Sequence, residues 1–259
     1  MLDKVLLILL ILLCFTIVNA DQKIVKIATL GDYAPYCMAD KDVKLNQIIP
    51  VGSDAKGFKG YSWDVVRESF HKMGYTIHLS ISPWIRAVNY IKNGEGDVLF
   101  PTGMNNARKK IYNYSKRSIN QANFLVYVPI ESKFKWDGIK SLKGLRLGFV
   151  RGYNLGDKLK KVNIDLSDLN SMAHGFIMLD KKRIDGFLGY EYNWDYFLIQ
   201  KKMKSKYKKL PVFDSSSEYL IALKSNRNGT KLIKDFDKGN LILMKKGRIE
   251  EIKRRWFGK

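Results

Sequence analysis

The chain has 259 residues, 46% hydrophobic and 27% charged, a balance that excludes a disordered or fibrous polymer. Its length suits one large domain or two lobes of ordinary size. Lys and Arg total 46 against 25 Asp and Glu, a net charge of +21, and three His with two Cys argue against a zinc finger or a disulfide scaffold.

The first segment reads as an address. Lys4 precedes an apolar run over residues 5–18, closed by Asn19 and Ala20 before polar sequence begins at Asp21. A basic n-region, an apolar h-region and a small residue at the end make a secretory signal peptide, cleaved after Ala20. The alternatives are a short anchor, for which fourteen apolar residues are few, and a lipid anchor at Cys14, where Leu13 replaces the expected small residue. Cleavage removes one Lys and one Asp, so the charge of +21 survives it. It also removes Cys14, which leaves Cys37 as a small buried hydrophobe with no disulfide partner.

Residues 23–29 (KIVKIAT) alternate and are β-branched, the pattern of a strand. A long loop over residues 30–61 follows, with Pro35, Pro50 and four Gly. Trp63, Val66, Phe70 and Met73 recur at helical spacing, with Ser62 as cap and Gly74 as stop. A strand over residues 75–80 leads to a helix opened by Ser82-Pro83 and faced by Ile85, Val88 and Ile91. Asn93-Gly94 ends that helix, and a third strand starts near Asp97. Strand–helix–strand–helix–strand at this spacing predicts a parallel α/β sheet.

A second unit has a related build. Residues 145–150 (LRLGFV) form a strand, a short helical stretch runs from Gly152 to about residue 161, and Met172, Phe176 and Leu179 mark a helix. Residues 182–188 then return to strand, as residues 92–99 do in the first unit. Residues 120–129 (NQANFLVYVP) have high β-propensity and join the units, and a strand over residues 219–224 leads back. Residues 231–244 and 245–257 are helical, Ile249, Ile252 and Trp256 lining one face of the last helix. Ligands in open parallel sheets sit beyond the carboxyl ends of the strands. That places the candidates at residues 32–36, Trp84, Arg86, residues 102–104, residues 151–153 and residues 190–191. His71, His78 and His174 have no ligand spacing, so no metal site is expected.

At this point the chain resembles the bacterial extracellular solute-binding proteins of family 3. The resemblance rests on Tyr33-Ala34-Pro35-Tyr36, on residues 60–66 (GYSWDVV), on Pro83-Trp84-Ile85-Arg86-Ala87 and on Gly94-Glu95-Gly96-Asp97. It continues through Asn105-Asn106-Ala107-Arg108, residues 142–149 (LKGLRLGF) and residues 252–258 (IKRRWFG). The resemblance implies a two-lobe periplasmic binding protein fold of type II, α/β, each lobe a mostly parallel sheet flanked by helices and joined by hinge strands. Lobe 1 would take residues 21–128 and 225–259, and lobe 2 residues 129–224.

The implied function is capture of a small polar or anionic solute, such as an amino acid or related carboxylate, by a periplasmic monomer. The partner would be the membrane permease of an ABC importer, or a sensor protein. No cofactor, no catalytic residue and no specific nucleic acid is implied. In the family, an Arg at the Arg108 position forks onto the ligand carboxylate, which suits a planar guanidinium. Here Asn105-Asn106-Ala107 precedes it in place of the family's Thr-Pro-Glu. Gly152-Tyr153 stands where Gly-Thr or Gly-Ser is common. Tyr190, with Glu191 beside it, stands where an Asp usually meets the ligand amine. The expected ligand-binding residues are Tyr36, Trp84, Arg86, Thr102, Gly103, Arg108, Tyr153, Tyr190 and Glu191.

Two rival functions remain at this stage. A dehydratase-like enzyme on the same fold would need more than the single carboxylate, Glu191, placed in the cleft. A polyanion or envelope-surface binder would use the charge, concentrated in residues 201–209 (KKMKSKYKK). Lys far outnumbers Arg and is scattered along the chain, which fits a solvated surface better than a nucleic-acid motif.

Overall fold

The computed structural model describes residues 23–153, 159 and 162–257. The predicted leader, most of the helical stretch expected up to residue 161, and Gly258 lie outside the described residues.

The first half begins with β1 (Ile24–Thr29), whose Val25 and Ile27 are buried while Lys26 is exposed. The expected loop over residues 30–61 contains structure instead. Strands β2 (Asp32–Tyr33), β3 (Cys37–Ala39) and β5 (Phe58–Lys59) form a small antiparallel sheet. Strand β4 (Asn46–Ile49) adds to the edge of the main sheet, antiparallel to β6 (Thr76–Ile81). Strands of two to four residues are too short to show a period in sequence.

Helix α1 (Tyr61–Lys72) starts one residue before the expected cap. Ser62 is not that cap: its hydroxyl donates to Asn120 Oδ1 at 3.1 Å. The first amides of α1 find tertiary acceptors, Tyr61 N on Pro35 O and Ser62 N on Tyr36 O, each at 3.0 Å. A capping side chain is therefore unnecessary. Helix α2 (Trp84–Lys92) likewise begins just after Pro83, and β7 (Val98–Gly103) is buried throughout. Helix α3 (Asn106–Ile111) is capped by Asn105, whose Oδ1 accepts from Arg108 N at 2.8 Å. Strand β8 (Tyr112–Tyr114) closes this half.

Strand β9 (Asn120–Pro129) crosses to the second half, where β10 (Arg146–Val150), β11 (Asp165–Leu169), α4 (Met172–Asp180), β12 (Gly186–Tyr190), α5 (Glu191–Gln200) and β13 (Tyr207–Lys209) follow. Strand β14 (Asp214–Leu223) returns, and α6 (Gly229–Lys245) and α7 (Arg248–Phe257) pack back on the first half. Ile252 of α7 is fully buried, and Asp64 of α1 accepts from Arg255 at 2.8 Å and Trp256 at 2.6 Å.

The main sheet has the order β11-β10-β12-β9-β14-β7-β1-β6-β4. Each half is a parallel triplet with its first strand central, β1 between β6 and β7, β10 between β11 and β12. The two triplets are arranged in mirrored order about the antiparallel pair β9 and β14. The same fastening recurs in both. Asp97 accepts from Lys26 N at 2.8 Å and Asp185 from Arg146 N at 2.9 Å, each pinning a third strand to a first. These carboxylates anchor strand to strand.

Candidate functional site

The carboxyl ends of β1, β7, β10 and β12 converge between the halves on a small cavity of about 20 Å³. Its walls from the first half are Leu30, Tyr33, Trp84, Pro101, Gly103 and Arg108; Tyr153 and Tyr190 come from the second. Glu218 of β14 forms its floor at the junction. Tyr153 and Tyr190 stack at 5.2 Å with rings 17° apart, and Tyr33 meets both edge-on at 6.4 and 5.7 Å. Offset and edge contacts of this kind suit aromatic quadrupoles and make a rigid wall.

Arg108 is held by carbonyls of both halves. Its two terminal nitrogens donate to Gly103 O at 2.9 Å and Gly152 O at 3.0 Å. Trp84 Nε1 donates to the same Gly152 oxygen at 3.0 Å, and the guanidinium lies 5.6 Å from the Trp84 ring centroid. Gly152 allows this approach: its φ is +81°, and a Cβ there would stand 3.0 Å from Ile85 and 3.2 Å from Trp84. On another side of the cleft, Asn193 of α5 donates to Ala34 O at 3.0 Å and Asp32 O at 3.3 Å. Both halves are thus fastened across the cleft by side chains donating to backbone carbonyls.

Glu218 is 4% exposed, and burial pushes its carboxyl up to about 7. Hydrogen bonds from Asn120 Nδ2 at 2.6 Å and Tyr33 Oη at 2.8 Å pull in the other direction, as does the charge of Arg108. Burial also pushes up the phenols of Tyr33 and Tyr153.

Of the residues expected from sequence, the cavity brings together Trp84, Gly103, Arg108, Tyr153 and Tyr190. Thr102 lies one position away, 1% exposed, with its hydroxyl unpartnered in an adjoining apolar hollow walled by Trp84, Val88 and Arg108. Tyr36 is not among the cavity walls. It packs 5.0 Å from Tyr33, donates to Gln121 O at 3.1 Å and faces a second groove with Tyr61, Tyr192 and Phe257. Arg86 is exposed on α2 outside the lining. The Glu191 carboxylate is engaged elsewhere, by Asn123 at 3.0 Å and Lys209 at 2.9 Å, which hold it below the usual range against the effect of burial. Cys37 is fully buried, accepting from Thr29, and burial raises its thiol.

Glu218 escaped sequence reading because the return strand was drawn from residue 219. Its signal was present: Glu218, Leu220 and Ala222 share one face of a strand, and the latter two are fully buried. A carboxylate in an apolar register marks a buried charge with a task or a partner.

Among the described residues no cluster of three or more His, Cys, Asp or Glu could hold a metal ion, and no helix is long and apolar enough to cross a membrane. A sequence model of the bacterial extracellular solute-binding proteins of family 3 matches residues 25–259. No curated protein sequence matches the chain. Among solved structures, a histidine kinase sensor domain with similarity to periplasmic binding proteins superposes with a TM-score of 0.77 at 18% identity, over 92% of this chain and 98% of that one. An ancestral arginine-binding protein bound to glutamine gives 0.74 at 18% identity, over 91% and 98%. A substrate-binding protein of an ABC uptake transporter from Streptococcus pneumoniae, with bound histidine, gives 0.73 at 18% identity, over 91% and 93%. At such identities the likeness is one of fold: the two-lobe, type II periplasmic binding architecture.

Proposed function

We propose that this chain, which belongs to the bacterial extracellular solute-binding proteins of family 3, captures an amino-acid-type solute in the cavity between its halves. The observation that carries the proposal is the composition of that cavity: a cation, Arg108, and an aromatic wall contributed by both halves. A ligand that touches both halves favours the closed form through its differential affinity, which is what closure requires. The two lobes are residues 21–128 with 225–259 and residues 129–224, and β9 and β14 serve as hinge. Arg108, backed by carbonyls, offers its remaining donors to the ligand carboxylate. Trp84, Gly103, Tyr153 and Tyr190 shape the surroundings.

Glutamine, histidine and arginine are bound by proteins of the same fold, which supports an amino-acid class of ligand. The protein is exported through cleavage after Ala20 and acts as a periplasmic monomer that delivers its solute to the permease of an ABC importer without chemical turnover. The likeness to a histidine kinase sensor domain supports a second reading, in which the closed form signals to a sensor partner. A thermal-shift screen against the standard amino acids, followed by calorimetry, tests capture: at least one raises the melting temperature, by an amount that grows with the logarithm of its affinity. No shift with any of them overturns the amino-acid assignment, and NMR detection of an altered solute overturns capture without turnover.

A further inference from the structure

Glu218 has no place in the ligand roles that the resemblance implies, yet among the described residues it is the one carboxylate on the cavity wall. Both of its hydrogen bonds, from Tyr33 and Asn120, fall on Oε2. Among the described residues no donor reaches Oε1, on a side chain that lines the cavity. Arg108 lines the same cavity, and no ion pair joins it to Glu218. A buried carboxylate and a nearby guanidinium ordinarily pair directly. Here both face one small cavity instead, each braced from behind, Arg108 by carbonyls and Glu218 by a phenol and an amide.

The position is also mechanical. Glu218 stands in register with Asn120 of β9 on one side and Gly103 of β7 on the other, where β14 passes from one partner strand to the next. A group bound at Oε1 therefore sits at the presumed hinge.

We propose that Glu218 receives the cationic group of the solute, so that the cavity takes a ligand bearing both charges and couples its capture to release of a proton. The inference rests on the capture reading above. The carboxyl is held at about 7, because burial disfavours the charge more than Asn120, Tyr33 and Arg108 favour it. An ammonium group arriving at Oε1 supplies the missing counter-charge, so the carboxylate ionises and the proton leaves to solvent. Among the described residues, the titratable groups on which the Glu218 charge acts are Tyr33 of β2, Tyr36, Cys37 of β3 and Tyr153, and the Tyr190 phenol ring shares the cavity wall. Burial pushes Tyr33, Tyr36, Cys37 and Tyr153 up, away from neutral pH, and among the described residues Arg108 is the cation whose charge acts on Glu218. Glu218 alone of this set changes charge between pH 6 and 8. The carboxylate that meets the ligand amine is thus moved from the second lobe, where Tyr190 stands, to the hinge strand.

Calorimetry on the whole secreted chain tests this with glutamine and arginine and with the same skeletons lacking the α-amine, at pH 6, 7 and 8, in two buffers of different ionisation enthalpy. Affinity for the tighter-binding amino acid should rise about tenfold from pH 6 to 8, the change expected when a group of pKa near 7 must be ionised. Close to one proton should be released per ligand at pH 6. In Glu218→Gln the pH slope should vanish and the preference for the amine-bearing ligand over its desamino form should collapse. The buffer-dependence needs no variant, so it holds even if Glu218→Gln folds poorly. Flat affinity without proton release overturns the inference and leaves capture standing. So does a desamino carboxylate bound as tightly as the amino acid and more tightly at pH 6, for then Glu218 acts as a protonated donor. Failure of all four compounds to bind, together with no shift from any standard amino acid in the thermal screen, overturns both.

Discussion

Arg108 carries two duties that a single deletion removes together. It is the cation of the cavity, and its bond to Gly152 O ties the first half to the second. Arg108→Ala should weaken ligand binding by at least the roughly 1.5–3 kcal/mol of a lost charged hydrogen bond. Unchanged affinity by calorimetry would remove it from the site. Glu218 makes a separate mark on stability in the absence of ligand. Its ordinary value is 4.5, and folding raises it to about 7, so the native state keeps a proton that the unfolded chain has released. Stability from this group is present below about pH 4.5 and drains away as pH climbs to 7, a loss of roughly 3 kcal/mol. Urea titrations at pH 5 and 8 should show that loss in the wild type and a smaller one in Glu218→Gln. Equal losses in the two proteins would place the pH dependence elsewhere.

At the scale of elements, the contacts that position the site are ones that no local pattern announces. Helix α1 gets its first hydrogen bonds from Pro35 and Tyr36, so the loop before β3 and the helix after β5 are fixed together. That loop also carries Tyr33 to Glu218. Helix α6 lies so close to α1 that a Cβ at Gly239 would stand 2.1 Å from Ser69 O. The backbone of α1 cannot yield as a side chain does, so Gly239→Ala should cost about 1–3 kcal/mol or more by overpacking. Chemical denaturation measures this; a neutral result would mean that the two helices slide apart freely. The mirrored fastenings, Asp97 to Lys26 and Asp185 to Arg146, explain why two stretches of weak residue similarity were legible as a repeat. Each unit spends an acidic residue on an amide that its strand edge would otherwise leave open.

For the whole molecule, the structure stands in a fastened form, with Arg108 and Trp84 on Gly152 O and Asn193 on the carbonyls of residues 32 and 34. Gly152→Ala places a methyl between the halves and strains a residue at φ +81°. It should bias the protein towards an open form, with a larger radius of gyration in solution scattering and faster ligand release. Scattering curves identical to wild type with ligand bound would show that closure does not pass through this point. The charge of +21 belongs to the same scale. It lies mostly on exposed Lys, and where Lys209 does reach the interior rim it neutralises Glu191 and Asp195. The surplus thus gives one expected carboxylate, Glu191, a counter-charge within the protein.

Sequence alone determined the alternation of strands and helices, because buried faces impose periods of 2 and 3.6 that can be read without coordinates. It determined the two related halves, the joining strand Asn120–Pro129 to the residue, and the carboxyl-end positions of Trp84, Gly103, Tyr153 and Tyr190, while Arg108 came from the family resemblance. Tertiary structure decided which carboxylate lines the cavity among the described residues. Glu191 opens a helix beside Lys209 and is spent on it, while Glu218 lies 27 residues further along the chain, in the opposite half's sheet register. A charge near a cleft is visible in sequence; whether another side chain has already claimed it depends on distances that only the folded chain sets.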